Sequence, residues 1–367
     1  MFSYVSKKCK NFFDPHQATA VCKLFLHHRM KVLENYSLKS LNTFGLDVKA
    51  RWFTEIMDIE DLQTLLRDLR FQSVPKMILG GGSNILFKGD YNGLIIRNRI
   101  EFVKKISEDE KQVFISVGAG LNWHSFVLYT IEQNFSGLEN LSLIPGCVGA
   151  APIQNIGAYG VEIKNTFHEL SAVDLEDGSL RTFNAEACRF GYRDSIFKQE
   201  ARNRYAIVNV TFRFNKKASL NTTYGAIEDQ LKIMNISHPT IRDISNAVIA
   251  IRKSKLPDPE IIGNAGSFFK NPEIPANLYN KLKENFPDII GYPSPAGKIK
   301  LAAGWLIEQC GWKGKRIANT GMHERQALVL VNYGDATGNE LIVHALRVNE
   351  SVQEKFGVVL EMEVNII

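Results

Sequence analysis

Two glycine-dense stretches without charged residues constrain this chain more than any other feature of its sequence. The longer one, residues 140–161, could cross a bilayer by length, but its glycines and prolines rule out a membrane-spanning helix. The shorter one, Gly80-Gly81-Gly82-Ser83-Asn84, follows the apolar run 77–79. Ordering such loops costs conformational entropy, and contacts with a bound ligand can offset that cost. Together they predict a site for a large, flat cofactor.

The glycine pattern does not match the two common phosphate-binding motifs. Neither Gly80 nor Gly81 begins a P-loop, and a dinucleotide fingerprint starting at Gly80 would need glycine where Ile85 stands. A fingerprint starting at Gly118 fails at Trp123. Taken alone, the triple glycine is better explained by a simple β-turn. Only the second glycine-dense stretch favours a ligand.

Charge and cysteine content exclude several classes of protein. The chain has 367 residues and a formal charge of +5, of which residues 1–29 contribute a net +4. The remainder is nearly neutral, so the sequence lacks the basic face of a nucleic-acid-binding protein. Scattered cysteines without a C-x-x-C pattern argue against a disulfide framework or a zinc ribbon. Histidines at 124, 168, 238, 323 and 344 have no metal-ligand spacing, and we predict no metal site.

Residues 1–29 form a basic segment that differs from the rest of the chain. Lys23 interrupts its apolar run and no small-residue cleavage site follows, so a signal peptide is not predicted. The segment is either a tail or an extension that is not native, with Met30 as the true start. The abrupt change in pattern after Arg29 favours the second interpretation.

Short strands mixed with helices predict an α+β fold. Apolar periodicity predicts helices over 59–69, 123–133, 241–256, 299–310 and 340–356, with Asp58 as an N-cap. Strands are predicted between the glycine-dense loops, and the chain closes on the strand-like segment 358–367. Residues 215–220 are polar and basic, which is typical of a linker.

Six blocks of residues, in the same order, resemble the UDP-N-acetylenolpyruvoylglucosamine reductases (MurB). The blocks are Asn42-Thr43-Phe44-Gly45; Leu79-Gly80-Gly81-Gly82-Ser83-Asn84; Ile144-Pro145-Gly146-Cys147-Val148-Gly149 with Gln154-Asn155-Ile156-Gly157-Ala158-Tyr159-Gly160; Phe190-Gly191-Tyr192-Arg193-Asp194-Ser195; Leu256-Pro257-Asp258-Pro259; and Gly263-Asn264-Ala265-Gly266-Ser267-Phe268-Phe269-Lys270-Asn271-Pro272. The likeness runs from about Met30 to the C-terminus. Tyr224, in the long interval between Arg193 and Lys255, resembles the family type with a substrate-covering tyrosine loop.

The resemblance implies an FAD-binding domain of the vanillyl-alcohol-oxidase/PCMH type, followed by a MurB-type C-terminal substrate domain. It implies an FAD-binding region over 30–215, with subdomains 30–100 and 101–215, and a substrate domain over 216–367 whose terminal strand returns to the active site. The implied reaction is NADPH-dependent reduction of UDP-N-acetylglucosamine enolpyruvate to UDP-N-acetylmuramate, in peptidoglycan precursor synthesis. We expect a cytoplasmic enzyme with non-covalent FAD, neither nucleic-acid nor membrane partners, and a monomeric state.

The resemblance also assigns three catalytic residues, each of which has a simpler interpretation. Arg193, by default a structural partner of Asp194, would hold the substrate carboxylate and stabilise the enolate formed after hydride transfer from flavin N5. Ser267, by default a turn residue, would protonate the new stereocentre. Glu363, by default one of two solvated carboxylates on a strand face, would assist Arg193, whereas Glu361 would matter much less.

Further positions match the family's substrate and cofactor contacts. Tyr224, Lys255, Asn271 and Gln326 match its substrate-binding residues, although the cluster at Lys255 also suits a helix C-terminus. The predicted FAD contacts are Gly80, Gly81, Gly82, Ser83, Asn84, Pro145, Gly146, Gly149, Asn155, Gly157 and Tyr159. Two alternatives remain open, namely an oxidase of a small alcohol or sugar with the same fold, and a non-catalytic nucleotide-binding protein.

Overall fold

Short apolar runs in the sequence form strands, and the capped amphipathic segments form helices. The computed structural model describes residues 30–217 and 219–367, so the prediction for residues 1–29 lies outside the described residues. The strands are β1 (Leu33–Ser37), β2 (Lys49–Ile56), β3 (Lys76–Leu79), β4 (Ile85–Leu86), β5 (Tyr91–Asn98), β6 (Val103–Glu108), β7 (Gln112–Gly118), β8 (Gly157–Ala158), β9 (Val161–Glu162), β10 (Phe167–Asp174), β11 (Leu180–Asn184), β12 (Tyr205–Asn215), β13 (Gly263–Ser267), β14 (Glu273–Pro275), β15 (Gly291–Ser294), β16 (Lys298–Leu301), β17 (Arg316–Ile317), β18 (Thr320–Met322), β19 (Val329–Asn332) and β20 (Asn365–Ile366).

Five of the eight helices in the described residues begin where a side chain accepts a hydrogen bond from one of the first free N–H groups. The eight are α1 (Ile59–Arg67), α2 (Trp123–Glu132), α3 (Ala185–Cys188), α4 (Gly225–Ile233), α5 (Ile241–Lys255), α6 (Ala276–Asn285), α7 (Ala303–Gln309) and α8 (Gly338–Phe356). The Asp58 side chain accepts a hydrogen bond from the Asp61 N–H, which confirms the predicted cap of α1. Capping boxes begin α5, at Thr240 and Asp243, and α8, at Thr337 and Glu340.

Four sheets and two short strand pairs organise the residues that the structure describes. The first sheet has the order β1-β2-β5-β3, and the second, which is antiparallel, has the order β11-β10-β12-β7-β6. The C-terminal half forms a sheet β13-β19-β18-β17 and a small sheet β14-β16-β15. Strand β20 pairs in parallel with β4, directly after the triple glycine. This pairing brings the end of the chain back to the glycine turn.

Two predictions of local structure are wrong in part. The predicted helix over 299–310 begins only at Ala303, because Lys298–Leu301 forms β16 between β14 and β15. Pairing with two neighbouring strands outweighs the helical spacing of its apolar residues. The terminal segment 358–367 is a strand only at Asn365–Ile366, with one further bridge between Met362 and Phe269.

Hydrophobic packing joins parts of the chain that are distant in sequence. One core combines residues of the first sheet, such as Phe53 and Ile95, with C-terminal residues such as Phe268 and Val348. A second core lies within 113–214 and takes in Ile241. A third, small core holds α4 against α5 through residues such as Ile227 and Val248. The boundary between the FAD-binding region, 30–215, and the substrate domain, 216–367, stays a prediction.

A buried histidine makes the stability of this fold pH-dependent. His344 on α8 is 2% exposed, its Nδ1 lies 2.9 Å from the Thr320 hydroxyl, and its Nε2 has no partner among the described residues. Burial lowers the pKa of His344 to about 4, below its ordinary 6.5. Between these two values the unfolded chain binds the proton more tightly, so stability falls as the pH falls.

We expect the free energy of unfolding to drop by about 2 kcal/mol between pH 7 and pH 5 on account of His344. Urea titrations at the two pH values measure this drop, which should largely disappear in His344→Gln. The exposed His238 provides the control, because His238→Gln should keep the wild-type pH dependence. Identical pH dependence in wild type and His344→Gln would contradict the assignment.

Candidate functional site

The two glycine-dense loops line one cavity of about 680 Å³. Among the described residues, the predicted FAD contacts that line it are Gly80, Gly81, Gly82, Ser83, Asn84, Pro145, Gly146, Gly149 and Gly157. Asn155 and Tyr159 are not part of the lining. Thus most of the predicted cofactor residues, from two separate loops, share one cavity.

Close backbone packing requires glycine in the triple-glycine turn. A Cβ on Gly81 would lie 2.9 Å from the Cα of Gly146, so the two loops touch at this point. Gly82 has a φ of +62°, and a Cβ there would lie 1.9 Å from the Leu41 carbonyl oxygen. Backbone that packs this tightly around a cavity suits the close approach of a flat cofactor with a pyrophosphate. The residues present therefore fit FAD.

We expect Gly81→Ala to weaken FAD binding by about tenfold or more. The added methyl group would push the Gly81 and Gly146 backbones apart, and overpacking of this kind costs about 1–3 kcal/mol. Fluorescence titration of the apoprotein with FAD measures the effect. Gly89→Ala is the matched control, since a Cβ on Gly89 meets nothing within 4 Å. An unchanged FAD affinity in Gly81→Ala would contradict a cofactor role for the turn.

Asn84 connects the two loops with the C-terminal segment. Its Nδ2 donates to Gln154 Oε1 at 2.8 Å and to the Glu363 carbonyl at 3.2 Å. The Asn365 backbone N–H in turn donates to the Asn84 carbonyl at 3.1 Å. Gln154 also lines the cavity, and the sequence analysis did not single it out as a site residue. Its position within the glycine-dense stretch is the sequence feature that could have indicated Gln154 as a cavity residue.

Asn155 lies behind the wall of the cavity. It is fully buried, and its Nδ2 donates to Glu162 Oε2 at 3.0 Å and to the Gly191 carbonyl at 2.9 Å. Its Oδ1 accepts from the Lys164 N–H at 3.3 Å. In this arrangement Asn155 holds the loop in place, and its side-chain groups are engaged by protein partners.

Tyr159 belongs to a cluster beside the cavity. Its ring meets that of Tyr224 edge to face, with centroids 5.4 Å apart. Arg252, which lines the cavity, hydrogen-bonds to Tyr159, and its Nε donates to the Leu143 carbonyl at 3.2 Å. Tyr224 itself is 50% exposed and is not part of the cavity lining. The structure thus brings Tyr159 and Tyr224 together, next to an arginine that the sequence analysis did not select.

Arg193 forms an ion pair with Glu363 and not with its neighbour Asp194. The distance from Arg193 Nε to Glu363 Oε1 is 3.1 Å, and Arg193 Nη2 donates to the Gly157 carbonyl. Arg193 adopts a left-handed backbone conformation with φ +52°. The Asp194 carboxylate instead accepts hydrogen bonds from the Gln199 side chain. The simpler interpretation of Arg193 as a structural partner of Asp194 is therefore wrong.

The two carboxylates of the terminal segment lie at different depths in the cavity lining. The Glu363 side chain is 14% exposed, whereas that of Glu361 is 69% exposed and pairs with Lys270 at 2.5 Å. Burial raises the pKa of Glu363, and the nearby Arg193 opposes this rise. A carboxyl group in this environment keeps its proton to a higher pH than a solvated one.

Ser267 lies at the end of β13, next to the terminal segment. The register between β13 and β19 shifts between Asn264 and Ser267, and Gly266 has a φ of +71°. The Phe268 carbonyl accepts a hydrogen bond from the Glu363 N–H at 2.8 Å. This bond ties the residue after Ser267 to Glu363. Ser267, Arg193 and Glu363, which come from three distant parts of the sequence, all line the cavity.

Two of the lysines in the cavity lining, Lys198 and Lys270, lie near the terminal carboxylates and were not selected from the sequence. Lys198 faces both Lys270 and Glu363, and burial together with Lys270 lowers its pKa. Lys270 has a side chain that is only 12% exposed. Lysines usually extend into solvent, so no local pattern indicates that these two are half-buried. They make this side of the cavity attractive to anionic groups.

The other predicted substrate residues lie outside the cavity lining. Lys255 is exposed at the end of α5. Asn271 Oδ1 accepts from the Ala303 N–H at 3.0 Å, and Asn271 hydrogen-bonds to Tyr192. Gln326 Oε1 accepts from the Leu328 N–H at 3.4 Å. The structure therefore does not bring Lys255, Asn271 and Gln326 to the cavity wall itself.

Neither a metal site nor a membrane span is found in the part of the chain that the structure describes. Within residues 30–217 and 219–367, three or more His, Cys, Asp or Glu side chains do not come together as a possible metal site. The helices of these same ranges are too short or too polar to cross a membrane.

Family models match two parts of the chain. A model described as an FAD binding domain matches residues 53–184. A model described as the C-terminal domain of UDP-N-acetylenolpyruvoylglucosamine reductase matches residues 258–367. Together with the mixed helices and strands, these matches confirm the predicted α+β class with an FAD-binding domain followed by a MurB-type C-terminal domain.

Similar proteins extend over nearly the whole chain. The UDP-N-acetylenolpyruvoylglucosamine reductase of Pseudomonas savastanoi pv. phaseolicola is 49% identical over 92% of this chain and 99% of its own length. The protein of that name from Flavobacterium johnsoniae is 47% identical over 92% of this chain and 100% of its own. The crystal structure of the Thermus caldophilus reductase shares the fold, with a TM-score of 0.63, 22% identity, and coverage of 92% of this chain and 98% of that one.

Proposed function

Because this chain belongs to the UDP-N-acetylenolpyruvoylglucosamine reductase family, we propose that it reduces UDP-N-acetylglucosamine enolpyruvate to UDP-N-acetylmuramate. FAD is the cofactor, NADPH is the source of the hydride, and the product is a precursor of peptidoglycan. The identity to named reductases over most of the chain supports this reaction. The observation in this structure that carries the proposal is that Ser267, Arg193 and Glu363 line the same cavity as the two glycine-dense loops.

The reaction needs a hydride, stabilisation of negative charge, and a proton. Bound FAD would be held by the two glycine-dense loops and would supply a hydride, derived from NADPH, for the terminal carbon of the enolpyruvyl group. Negative charge then develops on the neighbouring carbon and the carboxylate. In our proposal the Arg193 guanidinium, held at 3.1 Å from Glu363, binds that carboxylate and stabilises the enolate.

Ser267 is proposed to give the proton to the carbon that carries the carboxylate. A hydroxyl is a weak acid, so this step needs a cationic environment that stabilises the alkoxide. Arg193, Lys198 and Lys270 line the same cavity and provide one. Glu363, whose pKa is raised by burial, can donate its proton in a hydrogen bond to the enolate oxygen.

Tyr224, Lys255 and Asn271 are proposed to bind the diphosphate of the substrate, and Gln326 is proposed as a further polar residue on the substrate side. Tyr224 is half-exposed and lies against Tyr159. Tyr159 is hydrogen-bonded to Arg252, which lines the cavity. A ring in this position can cover a ligand that enters beside Arg252. For Lys255, Asn271 and Gln326 the support is the match to the family's motif, since they lie outside the lining.

The proposal includes non-covalent FAD, a monomer, a cytoplasmic location, and the division into 30–215 and 216–367. Size-exclusion chromatography with light scattering tests the oligomeric state. Release of free flavin on denaturation tests the attachment of FAD.

An anaerobic experiment tests the function. The yellow protein is reduced with NADPH, UDP-N-acetylglucosamine enolpyruvate is added, and the flavin absorbance is followed. Rapid reoxidation that depends on the substrate is expected. A flavin that stays reduced until oxygen is admitted would favour the oxidase alternative, and a protein that neither retains nor rebinds FAD would overturn the cofactor assignment.

A further inference from the structure

A short segment at the start of the long glycine-dense stretch holds Tyr159 and Tyr224 in place through hydrogen bonds to the backbone around them. It contains the 3₁₀ turn Glu139–Leu141 and continues to Leu143, and we call residues 139–143 the clasp. Asn140 in the clasp is 1% exposed. Its Nδ2 donates to the Tyr159 carbonyl at 3.1 Å and to the Asn221 carbonyl at 3.0 Å. One buried amide therefore joins the glycine-dense loop to residues 221–224, which we call the Tyr224 segment.

Reciprocal bonds strengthen this connection. Asn221 Nδ2 donates to the Gly160 carbonyl at 3.3 Å, and the Thr223 hydroxyl donates to Asn221 Oδ1 at 3.1 Å. The Asn140 Oδ1 is buried without a partner among the described residues. Leaving a buried acceptor unpaired is unfavourable, so the two donated bonds must outweigh it. The contribution of Asn140 to this connection therefore comes from the two hydrogen bonds that its Nδ2 donates.

The clasp also fixes the helix that carries Arg252. The Ser142 hydroxyl lies 2.7 Å from that of Ser245 on α5, and the Leu143 carbonyl accepts from Arg252 Nε at 3.2 Å. Helices α4 and α5 pack on each other through their own small core, onto which Tyr159 packs. Polar contacts of the clasp therefore connect this helical pair to the cavity.

We infer that Asn140 is a positioning residue for substrate binding, which fixes the Tyr224 segment against Tyr159 beside Arg252. The inference rests on the proposed function, in which Tyr224 covers the substrate. Asn140 is not itself part of the cavity lining, so it acts through Tyr159 and Asn221. Losing it should loosen the covering segment without altering the residues that carry out the chemistry.

The test compares Asn140→Ala and the isosteric Asn140→Asp with the wild-type holoenzyme. We expect the KM for UDP-N-acetylglucosamine enolpyruvate to rise about tenfold or more, the effect of losing ~1.4 kcal/mol of binding. The kcat and the rate of flavin reduction by NADPH should change by less than about threefold. Both variants should behave alike, because aspartate keeps the size of the side chain but loses both donors.

A second readout does not depend on turnover. Chymotrypsin can cleave after Leu220 and Tyr224, and we expect cleavage there, identified by mass spectrometry, to be faster in both Asn140 variants. Asn332→Ala is the matched control. Asn332 is another buried asparagine that bonds backbone groups, at Phe44, Gly334 and Ala336, and it should lower stability without a change in KM or in cleavage at these sites.

The outcomes separate this inference from the proposed function. Wild-type cleavage rates in the Asn140 variants, a loss of kcat as large as the rise in KM, or full rescue by Asn140→Asp would each overturn the positioning role. A wild-type protein that does not turn over the substrate would overturn the proposed function, while faster cleavage would still support the attachment of the Tyr224 segment by Asn140.

Discussion

Replacing Ser267 with alanine is expected to slow reoxidation of the reduced flavin by substrate by about 10²–10⁴-fold, which is the usual contribution of a positioned general acid. Reduction of the flavin by NADPH should stay within about twofold of the wild-type rate, because that step needs no proton from Ser267. Anaerobic stopped-flow absorbance measures the two half-reactions separately.

The control for this variant is Ser294→Ala. Ser294 lies on β15, outside the cavity lining, and its hydroxyl bonds to Glu273. Both half-reactions of Ser294→Ala should match those of wild type. Equal slowing of the two half-reactions in Ser267→Ala would contradict its role as the proton donor and would indicate damage to the cofactor site.

Replacing Glu363 with glutamine is expected to lower the rate of substrate-dependent reoxidation by about 10²–10³-fold. Glutamine keeps the size of the side chain, but its amide is a much weaker acid than a carboxyl group and cannot share a proton with the developing enolate. Because Glu363 is only 14% exposed and lies 3.1 Å from Arg193, the substitution also changes the group that contacts the guanidinium. Flavin content must therefore be measured alongside the rate.

Glu361→Gln is the matched control, since it makes the same change two residues away on a side chain that is 69% exposed. We expect it to change the rate by less than about threefold, because the Glu361 carboxylate itself is mostly solvated. A loss of rate in Glu361→Gln as large as in Glu363→Gln would contradict the distinction between the two carboxylates.

The pH profile gives an independent check on Glu363. Burial raises the pKa of this carboxyl, so the protonated form that can donate to the enolate persists above the ordinary range of a glutamate. The wild-type rate of substrate-dependent reoxidation should fall as the pH rises through that raised pKa. Glutamine does not titrate, so this limb should be missing from Glu363→Gln. A limb of unchanged shape in the variant would assign the titration to another group.

The sequence led to most of the cavity because its signals there are contiguous. The triple glycine and the stretch from Pro145 to Gly157 each stand out locally, and close packing around a ligand leaves a glycine pattern in the sequence. The predicted cap at Asp58 is confirmed for the same reason, since capping depends on residues only a few positions apart. Ser267, Arg193 and Glu363 were chosen through the resemblance to a family, and their geometry was not predictable locally.

The sequence did not indicate residues whose roles depend on contacts with residues far along the chain. The local sequence does not distinguish Lys198 and Lys270 from exposed lysines. Only the folded structure shows that both are partly buried near Glu363. Asn140 is one asparagine among many, and its two acceptors, at Tyr159 and Asn221, lie far along the chain. A hydrogen bond between such positions leaves no periodic pattern in a single sequence.

The sequence by itself determined the α+β class, the two glycine-dense loops, the cap of α1 at Asp58 and, through its resemblance, the three catalytic candidates. Only the tertiary structure decided that Arg193 pairs with Glu363 and not with Asp194, that Glu361 stays near the surface while Glu363 is buried, and that Lys298–Leu301 forms a strand. A helix cap depends on residues a few positions away, and a glycine-dense stretch is visible in the local sequence even where its packing partners are distant. Ion pairs, burial and strand pairing depend on which distant segments the folded chain brings together.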